Sequence, residues 1–256
     1  MSTLVLVRHG KTEWSSQNRF AGWADAPLSA AGEQEAHGAG RVLAQAGYRF
    51  RRAHTSYLSR ATRTLEIILE ELDQGDLPVS RHWRLNERHY GALQGHNRAK
   101  MALQYGNDQV AQWRRSYAVE PPALPEGDER LPSLDPLYAG IDPSLLPRTE
   151  SLAQAAERVA VYWRETLAPE LRGGASAGDQ VLVVAHTSSI RGLVRQIEGL
   201  DDAESANFRI ATALPLVYRF DADLKVTERQ ELAEGWSNWM RRFINRHKPG
   251  KRISWI

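Results

Sequence analysis

Residues 3–10 read Thr3-Leu4-Val5-Leu6-Val7-Arg8-His9-Gly10, and this stretch decides the fold. A short apolar, β-branched run that ends at a glycine is typical of a buried strand leaving a sheet. The pattern recurs late in the chain, where Val181-Leu182-Val183-Val184-Ala185 precedes His186-Thr187-Ser188-Ser189. Each predicted strand therefore delivers a histidine, His9 or His186, at its carboxyl end, where open α/β sheets bind ligands.

Helical patterns lie between and after the two strands. One begins after Ser29, has Leu43 and Ala44 on its apolar face and ends at Gly47. Apolar residues at helical spacing predict three further helices, over about 58–72, about 151–171 and 188–197. The alternation of strands and helices predicts an α/β fold with a mostly parallel central sheet and helices on both faces.

Residues 118–148 differ from the rest of the chain. They hold seven of its 12 prolines and few apolar anchors. The stretch is too long for an ordinary connection, so it predicts a functional surface loop or lid.

The composition narrows the class of protein. The 256 residues include no cysteine, which excludes disulfides, thiolate metal sites and cysteine nucleophiles. We expect a cytoplasmic protein, since no segment has the pattern of a signal peptide or the roughly 18 apolar residues of a membrane span.

The net charge of +2 conceals an asymmetry along the chain. The last sixteen residues carry six basic side chains and no acid, which leaves −4 on residues 1–240. We therefore expect a catalytic domain over residues 1–234 and a basic, tryptophan-containing tail over 235–256. The tail is expected to dock on the acidic body and cover the site rather than to bind nucleic acid; recruitment of a partner or nucleic acid is the alternative.

The tripeptide Arg8-His9-Gly10 suggests phosphoryl chemistry. A neutral imidazole can attack phosphorus, and an adjacent arginine can hold two phosphate oxygens. The glycine is expected to let backbone N–H groups approach the phosphate. Taken alone, however, a histidine at a strand end is more often a polar edge residue.

Longer motifs strengthen this hypothesis. They include Trp83-Arg84-Leu85-Asn86-Glu87-Arg88-His89-Tyr90-Gly91 and the stretches 6–14, 18–29, 56–64, 113–117, 150–152 and 215–218. Together they resemble the cofactor-dependent phosphoglycerate mutases of the histidine phosphatase superfamily, in order, over roughly residues 3–230.

The resemblance implies a role for each matching residue. His9 is similar to the nucleophile that becomes phosphohistidine, and Glu87 to the general acid/base. Three residues match those around the transferring phosphoryl group: Arg8, Arg60 and the second histidine, His186. Substrate and phosphate contacts are implied for Thr12, Ser15, Ala21, Gly22, Arg88, Tyr90, Arg98, Arg114, Arg115, Thr187 and Ser188.

These implied roles agree with the chemistry. Phosphoryl transfer depends on positioning and charge stabilisation, so a site without a metal needs several fixed cations. Arg8, Arg60 and a protonated His186 would supply them, and Glu87 would move the proton. The pair Arg114-Arg115 suits a small anion. We therefore expect no metal.

Several positions depart from the mutase pattern. Ser15 replaces an asparagine, Thr187 and Ser188 replace a glycine and an asparagine, Arg98 replaces a lysine, and Ala21 replaces a hydroxyl residue. Ser15 is a shorter donor, and Thr187 adds a β-branched side chain where glycine allows close approach. The departures alter the pocket lining but leave the nucleophile, the arginines and the acid/base in place.

The sequence thus predicts phosphoryl transfer through a phosphohistidine. The first hypothesis is interconversion of 3-phosphoglycerate and 2-phosphoglycerate, primed by 2,3-bisphosphoglycerate, in a homo-oligomer (dimer or tetramer) with a lid or insert over about residues 88–150. The alternative is a specialised phosphatase or phosphotransferase acting on another small phosphorylated carboxylic acid. A third hypothesis is a catalytically weak binding protein. Neither nucleic acid nor membrane is expected as a partner.

Overall fold

The computed structural model describes residues 1–173 and 179–233. Its six-stranded sheet has the order β3-β2-β4-β1-β5-β6. The strands are β1 (Ser2–Arg8), β2 (Arg52–Thr55), β3 (Val79–Arg81), β4 (Gln180–Ala185), β5 (Leu216–Phe220) and β6 (Val226–Glu231). Strands β3, β2, β4 and β1 run parallel, whereas β5 is antiparallel to β1 and β6 to β5. The predicted α/β class and mostly parallel sheet are confirmed.

Helices connect these strands. They are α1 (Glu13–Ser16), α2 (Ala30–Gln45), α3 (Ser59–Glu71), α4 (Arg98–Tyr105), α5 (Asn107–Arg115), α6 (Leu152–Tyr162), α7 (Ala168–Gly173), α8 (Thr187–Glu198) and α9 (Asp202–Asn207). A π-helical turn, Trp163–Leu167, joins α6 to α7. The helix predicted over 151–171 is therefore present but interrupted by that turn.

The two faces of the sheet bury separate cores. In β1, Leu4 and Leu6 pack into a core that includes residues of α6 and α8. The alternate residues Val5 and Val7 face a second core, which includes residues of α2 and α3. This alternation follows from the two-residue period of a strand. It confirms the prediction of helices on both faces.

Helix α2 differs from its prediction in one residue. Leu43 is fully buried, but Ala44 is exposed. The buried stripe of α2 includes Ala36, Ala39 and Gly40 together with Leu43. These positions follow the spacing of one helical face, and Ala44 lies outside it. The prediction for Ala44 is wrong because a short apolar pair does not define the buried face.

The proline-rich stretch 118–148 forms three short 3₁₀ turns, Pro132–Leu134, Pro136–Tyr138 and Pro143–Leu145. Proline suits the first position of such a turn because its φ is fixed and its missing N–H is not needed there. The few apolar anchors of this stretch include Leu124, Tyr138 and Leu146, which are buried. Tyr138 stacks on Trp23 with ring centroids 5.1 Å apart and ties the stretch to the body.

Strand pairing brings the two predicted histidines to one edge. Strands β1 and β4 are adjacent and parallel, with Arg8 opposite Ala185. The residues that follow are His9 and His186, so both leave the sheet at the same carboxyl edge. The predicted tail, 235–256, lies outside the described residues. No helix in the described ranges is long and apolar enough to cross a membrane.

Candidate active site

A cavity of about 580 Å³ opens at this edge of the sheet. It brings together every predicted site residue except His186. Its walls contain His9, Thr12, Ser15, Ala21, Gly22, Glu87, Tyr90, Thr187, Ser188 and nine arginines, namely Arg8, Arg19, Arg60, Arg88, Arg98, Arg114, Arg115, Arg191 and Arg209. Leu152, Ala206 and Asn207 complete the wall. Glu87 is the one carboxylate among these lining residues, so the cavity suits a polyanion.

His9 is held in the form that a nucleophile needs. Its Nδ1 lies 2.7 Å from the carbonyl oxygen of Gly10, which can only accept a hydrogen bond. Nδ1 therefore carries the proton, and Nε2 keeps the lone pair. Burial and the charges of Arg60 and Arg8 hold the pKa of His9 well below its usual value. The imidazole is thus neutral at physiological pH.

Gly10 has a different role from the one expected. Its N–H donates to Oγ1 of Thr64 at 3.2 Å, so it is not free for phosphate. A Cβ at Gly10 would lie 2.2 Å from the carbonyl oxygen of Gly32 in α2. Glycine is therefore required because the backbone of α2 packs directly against the strand end.

Arg8 and Arg60 are positioned by backbone carbonyls. Arg8 donates through Nη1 to the carbonyl of Ile210 at 3.0 Å, and its buried Nε has no partner among the described residues. Arg60, from α3, is almost fully buried and donates through Nη2 to the carbonyl of Gly22 at 2.7 Å. Burial lowers the pKa of Arg60 to about 10, so it remains charged at neutral pH. The pair can hold phosphate oxygens beside His9.

His186 lies behind the cavity wall. It is fully buried, its Nε2 lies 2.7 Å from Oγ of Ser56, and its ring centroid is 5.0 Å from that of His9. Burial and the charge of Arg60 hold its pKa well below the usual value. His186 is therefore neutral in this structure, whereas the sequence analysis expected a protonated His186. Its Nδ1 is buried without a partner in the described chain and is available for a hydrogen bond.

Glu87 is held as a carboxylate by two backbone donors. Its Oε1 accepts hydrogen bonds from the N–H of Arg88 at 2.8 Å and from the N–H of Ser188 at 3.0 Å. Burial alone would raise the pKa of Glu87, but these bonds and the charge of Arg60 outweigh it and lower the pKa. Glu87 can therefore accept a proton at neutral pH.

A buried ion pair supports the segment that carries Glu87. Arg158 of α6 donates to both carboxylate oxygens of Glu150, at 2.7 and 2.8 Å. It also donates to the carbonyls of Arg84 and Glu87, at 2.7 and 3.2 Å. One guanidinium thereby fixes the backbone that carries Glu87.

A second group of arginines lies further along the cavity. Arg88 is buried and donates through Nη2 to the hydroxyl of Tyr90 at 2.9 Å. Its Nε and Nη1 are also buried and have no partner among the described residues. Arg98 lies over the ring of Phe20, 5.4 Å from its centroid. Arg114 and Arg115 end α5, which buried Trp113 anchors. This arrangement can accept a second anionic group of a substrate.

One departure from the mutase pattern, Ser15, has a local structural role. Ser15 and Thr12 form a capping box at the start of α1, in which the Ser15 N–H donates to Oγ1 of Thr12 and the Thr12 N–H donates to Oγ of Ser15. The Ser15 hydroxyl also donates to the Thr12 carbonyl at 2.7 Å. Although Ser15 lines the cavity, its hydroxyl is thus engaged with the backbone.

Six lining residues were not predicted: Arg19, Leu152, Arg191, Ala206, Asn207 and Arg209. Arg191 follows Ser188 by three residues in one helix, which puts the two on one face. That spacing is a signal that could have found Arg191. Arg19 and Leu152 lie in the quoted stretches 18–29 and 150–152, whereas Ala206, Asn207 and Arg209 carry no comparable signal.

This arrangement is typical of proteins that transfer a phosphoryl group through a histidine. Its features are the sheet, the two histidines and the surrounding arginines. The chain belongs to the histidine phosphatase superfamily (branch 1), whose family model matches residues 4–233.

Solved structures share this fold. YhfR of Bacillus stearothermophilus superposes with a TM-score of 0.66 at 20% identity, covering 92% of this chain and 97% of that one. A mycobacterial glucosyl-3-phosphoglycerate phosphatase in complex with VO3 has a TM-score of 0.65 at 24% identity, covering 91% and 98%. The alpha-ribazole phosphatase of Shigella flexneri has a TM-score of 0.65 at 20% identity, covering 92% and 100%. At these identities the likeness shows the fold.

Proposed function

We propose that this protein is a phosphatase that removes the phosphoryl group of a small phosphorylated carboxylic acid through a phosphohistidine at His9. The observation that carries the proposal is the neutral His9 at the wall of a cavity that nine arginines line. Two of them, Arg8 and Arg60, flank the nucleophile, and the others remain for the carboxylate and the rest of the substrate.

The reaction has two displacements. In the first, Nε2 of His9 attacks phosphorus, the bond from phosphorus to the leaving oxygen breaks, and that oxygen takes a proton. In the second, water attacks the phosphohistidine, the N–P bond breaks, and Glu87 accepts the proton of the water. Because Glu87 is held as a carboxylate, it first accepts the proton of a substrate that binds as its phosphate monoanion, and it then gives that proton to the leaving oxygen.

Hydrolysis is the favoured fate of the phosphoryl group. A mutase must keep water away from the phosphohistidine until the acceptor is bound. Among the described residues, the cavity beside His9 opens at the edge of the sheet, so water can reach it. The structural neighbours described as phosphatases agree with this preference.

A phosphoglycerate mutase is the second candidate. It is favoured by the side chains of Arg88, Tyr90, Arg114 and Arg115, which match the mutase motif and line the same cavity. The unpartnered Nε and Nη1 of buried Arg88 suit the additional anionic group of a 2,3-bisphosphoglycerate primer. In that case the phosphoryl group would return to a second oxygen of the substrate.

One experiment separates the two candidates. The purified protein is incubated with 3-phosphoglycerate, 2,3-bisphosphoglycerate and glucosyl-3-phosphoglycerate, and both free phosphate and 2-phosphoglycerate are measured. We expect phosphate release to exceed formation of 2-phosphoglycerate. Isomer formation without phosphate release would instead identify a mutase.

The intermediate is tested on the same samples. Label from the substrate should appear on His9 as an acid-labile, base-stable phosphoramidate, and His9→Ala should abolish both label and turnover. Label at another residue, or a fully active His9→Ala protein, would overturn the mechanism. A wild-type protein that binds these compounds without turnover would instead be a binding protein.

A further inference from the structure

One part of the cavity wall is not used by the mechanism above. It is formed by Arg191 on α8, by Asn207 at the end of α9 and by Arg209 in the segment that follows α9. Arg191 lies three residues after Ser188, whose N–H binds Glu87, and so shares its helix face. This wall therefore adjoins the reacting centre.

Backbone contacts hold this wall in place. Arg191 donates through Nε to the carbonyl of Phe208 at 2.9 Å. This carbonyl belongs to the peptide bond between Phe208 and Arg209, so the contact joins Arg191 to the segment that carries Arg209. Two residues further, the carbonyl of Ile210 accepts a hydrogen bond from Arg8. The short segment 208–210 thus orients Arg191 and the phosphate-holding Arg8 together.

The arginines of this wall lack the acidic partners that their neighbours have. Arg195, one turn after Arg191, pairs with Asp202 at 2.8 Å, and Arg229 pairs with Glu198 at 3.4 Å. In the described ranges, Arg191 and Arg209 have no carboxylate within 4.0 Å. Burial lowers the pKa of Arg191, although the nearby charge of Glu87 opposes this. Arg191 is partly buried, whereas Arg209 is exposed at the rim. A partly buried guanidinium without an acid, such as that of Arg191, is stabilised when an anion binds to it.

We propose that Arg191 and Arg209, beside Asn207, form an anion subsite separate from Arg8 and Arg60 and from Arg114 and Arg115. The substrate is then a phosphomonoester with two further anionic groups rather than one. This inference rests on the proposed phosphatase function and narrows its substrate class.

A graded series of substrates tests the subsite. p-Nitrophenyl phosphate has no further anionic group, 3-phosphoglycerate has one and 2,3-bisphosphoglycerate has two. Each charge-assisted hydrogen bond contributes about 1.5–3 kcal/mol, so Arg191→Gln and Arg209→Gln should each lower kcat/KM for 2,3-bisphosphoglycerate about ten- to hundredfold. For the other two compounds we expect a distinctly smaller loss, because neither reaches the subsite and Arg191 affects them only through the segment 208–210 that it shares with Arg8.

Arg195→Gln is the matched control, since it removes an arginine from the same helix that lies outside the cavity wall. Arg191→Lys keeps the charge but loses the guanidinium fork and its Nε bond to Phe208, so it should retain only part of the selectivity. Thermal unfolding of each variant shows that the fold is intact. Equal losses on all three substrates, or no loss on any, would overturn the subsite.

Binding separates this proposal from the proposed function. In a His9→Ala background, calorimetry measures the affinity for 2,3-bisphosphoglycerate with and without Arg191→Gln. If the wild-type protein hydrolyses none of the three compounds, the phosphatase function fails. In that case the subsite is judged by binding, and it fails when Arg191→Gln leaves this affinity unchanged.

Discussion

The carboxylate of Glu87 accepts a hydrogen bond from the backbone N–H of Ser188, at 3.0 Å. Ser188 is the second residue of α8, so this carboxylate occupies the amino end of a twelve-residue helix. Partial positive charge at that end favours an anion. The same helix follows His186, so His186 and Glu87 are fixed to one element.

Because its carboxylate is held ionised at the end of α8, Glu87 in the proposed mechanism accepts a proton before it donates one. We predict that Glu87→Gln slows hydrolysis of an alkyl phosphate such as 3-phosphoglycerate by about 10²–10⁴-fold, the range for general acid–base catalysis. Formation of the phosphoenzyme from p-nitrophenyl phosphate should change less than tenfold, since that leaving group needs little protonation. Rapid-quench measurement of phosphohistidine and of free p-nitrophenol separates the two steps.

The glutamine retains an oxygen that can accept from Ser188, so the local fold is conserved. The phosphoenzyme should accumulate in the variant, because no carboxylate takes the proton of the attacking water. Equal slowing of both substrates at the first step would contradict the role given to Glu87.

A second prediction concerns the support beneath Glu87. Arg158 and Glu150 are both buried, and their side chains are joined by two hydrogen bonds. Removing one member of a buried ion pair leaves an uncompensated charge, which costs about 3–5 kcal/mol. Arg158→Met should therefore lower the free energy of unfolding by about that amount, measured by urea denaturation.

The double variant Arg158→Met, Glu150→Gln tests the cause. Glutamine removes the stranded charge, so the double variant should be more stable than Arg158→Met alone. A cost below about 1 kcal/mol for Arg158→Met, or a double variant less stable than the single one, would contradict this account.

The central strands were predictable because each is one continuous apolar run. Strand β6 was not, since Val226-Thr227-Glu228-Arg229-Gln230-Glu231 is mostly polar and lies at the edge of the sheet. An edge strand is held by backbone pairing with its neighbour, and composition does not reveal such pairing. Strand β2 lies inside the sheet but is short, and it is held by pairing with β3 and β4. These partners are distant in the chain, so this strand was not predictable from composition either.

The site was predictable where neighbouring residues form motifs and not where the fold brings single residues together. In sequence, Arg191 looks like Arg195, but Arg191 lines the cavity and Arg195 pairs with Asp202. The role of Gly10 depends on Gly32, 22 residues away, whose backbone packs against it. The charge state of His186 depends on its burial. The spacing of Arg191 from Ser188 is a local signal, but the other contacts depend on residues that are distant in the chain.

The third prediction is a loss of stability in mild acid. Burial and the charge of Arg158 lower the pKa of His89 to about 3, and His89 is fully buried. Below the ordinary histidine value of about 6.5, the unfolded chain binds a proton at this residue that the folded chain does not. Stability therefore falls as the pH falls from about 6.5 towards 3, by up to about 1.4 kcal/mol per pH unit for this one histidine.

His89→Gln removes the titrating group and offers an oxygen to the N–H of Gly91, which now donates to Nδ1 of His89. Between pH 6.5 and 5, urea denaturation should give a shallower dependence of unfolding free energy on pH for this variant. The exposed His96→Gln is the control and should follow the wild type. Identical slopes for His89→Gln and wild type would contradict the prediction.

The final prediction concerns the partition between water and a second acceptor. Ser15, Thr187 and Ser188 line the cavity where the mutase pattern has asparagine, glycine and asparagine, and the Ser15 hydroxyl is engaged with Thr12. Asparagine at positions 15 and 188 adds longer donors towards the phosphate, while glycine at 187 removes a branched side chain. Two added charge-assisted hydrogen bonds at about 1.5–3 kcal/mol each would hold phosphoglycerate more tightly against the phosphohistidine. The triple variant Ser15→Asn, Thr187→Gly, Ser188→Asn should therefore raise the ratio of 2-phosphoglycerate formed to phosphate released at least about tenfold.

Both products are measured from labelled 3-phosphoglycerate in the presence of 2,3-bisphosphoglycerate, with Ser16→Asn, outside the cavity wall, as the control. An unchanged ratio in the triple variant would mean that these three positions do not set the fate of the phosphoryl group.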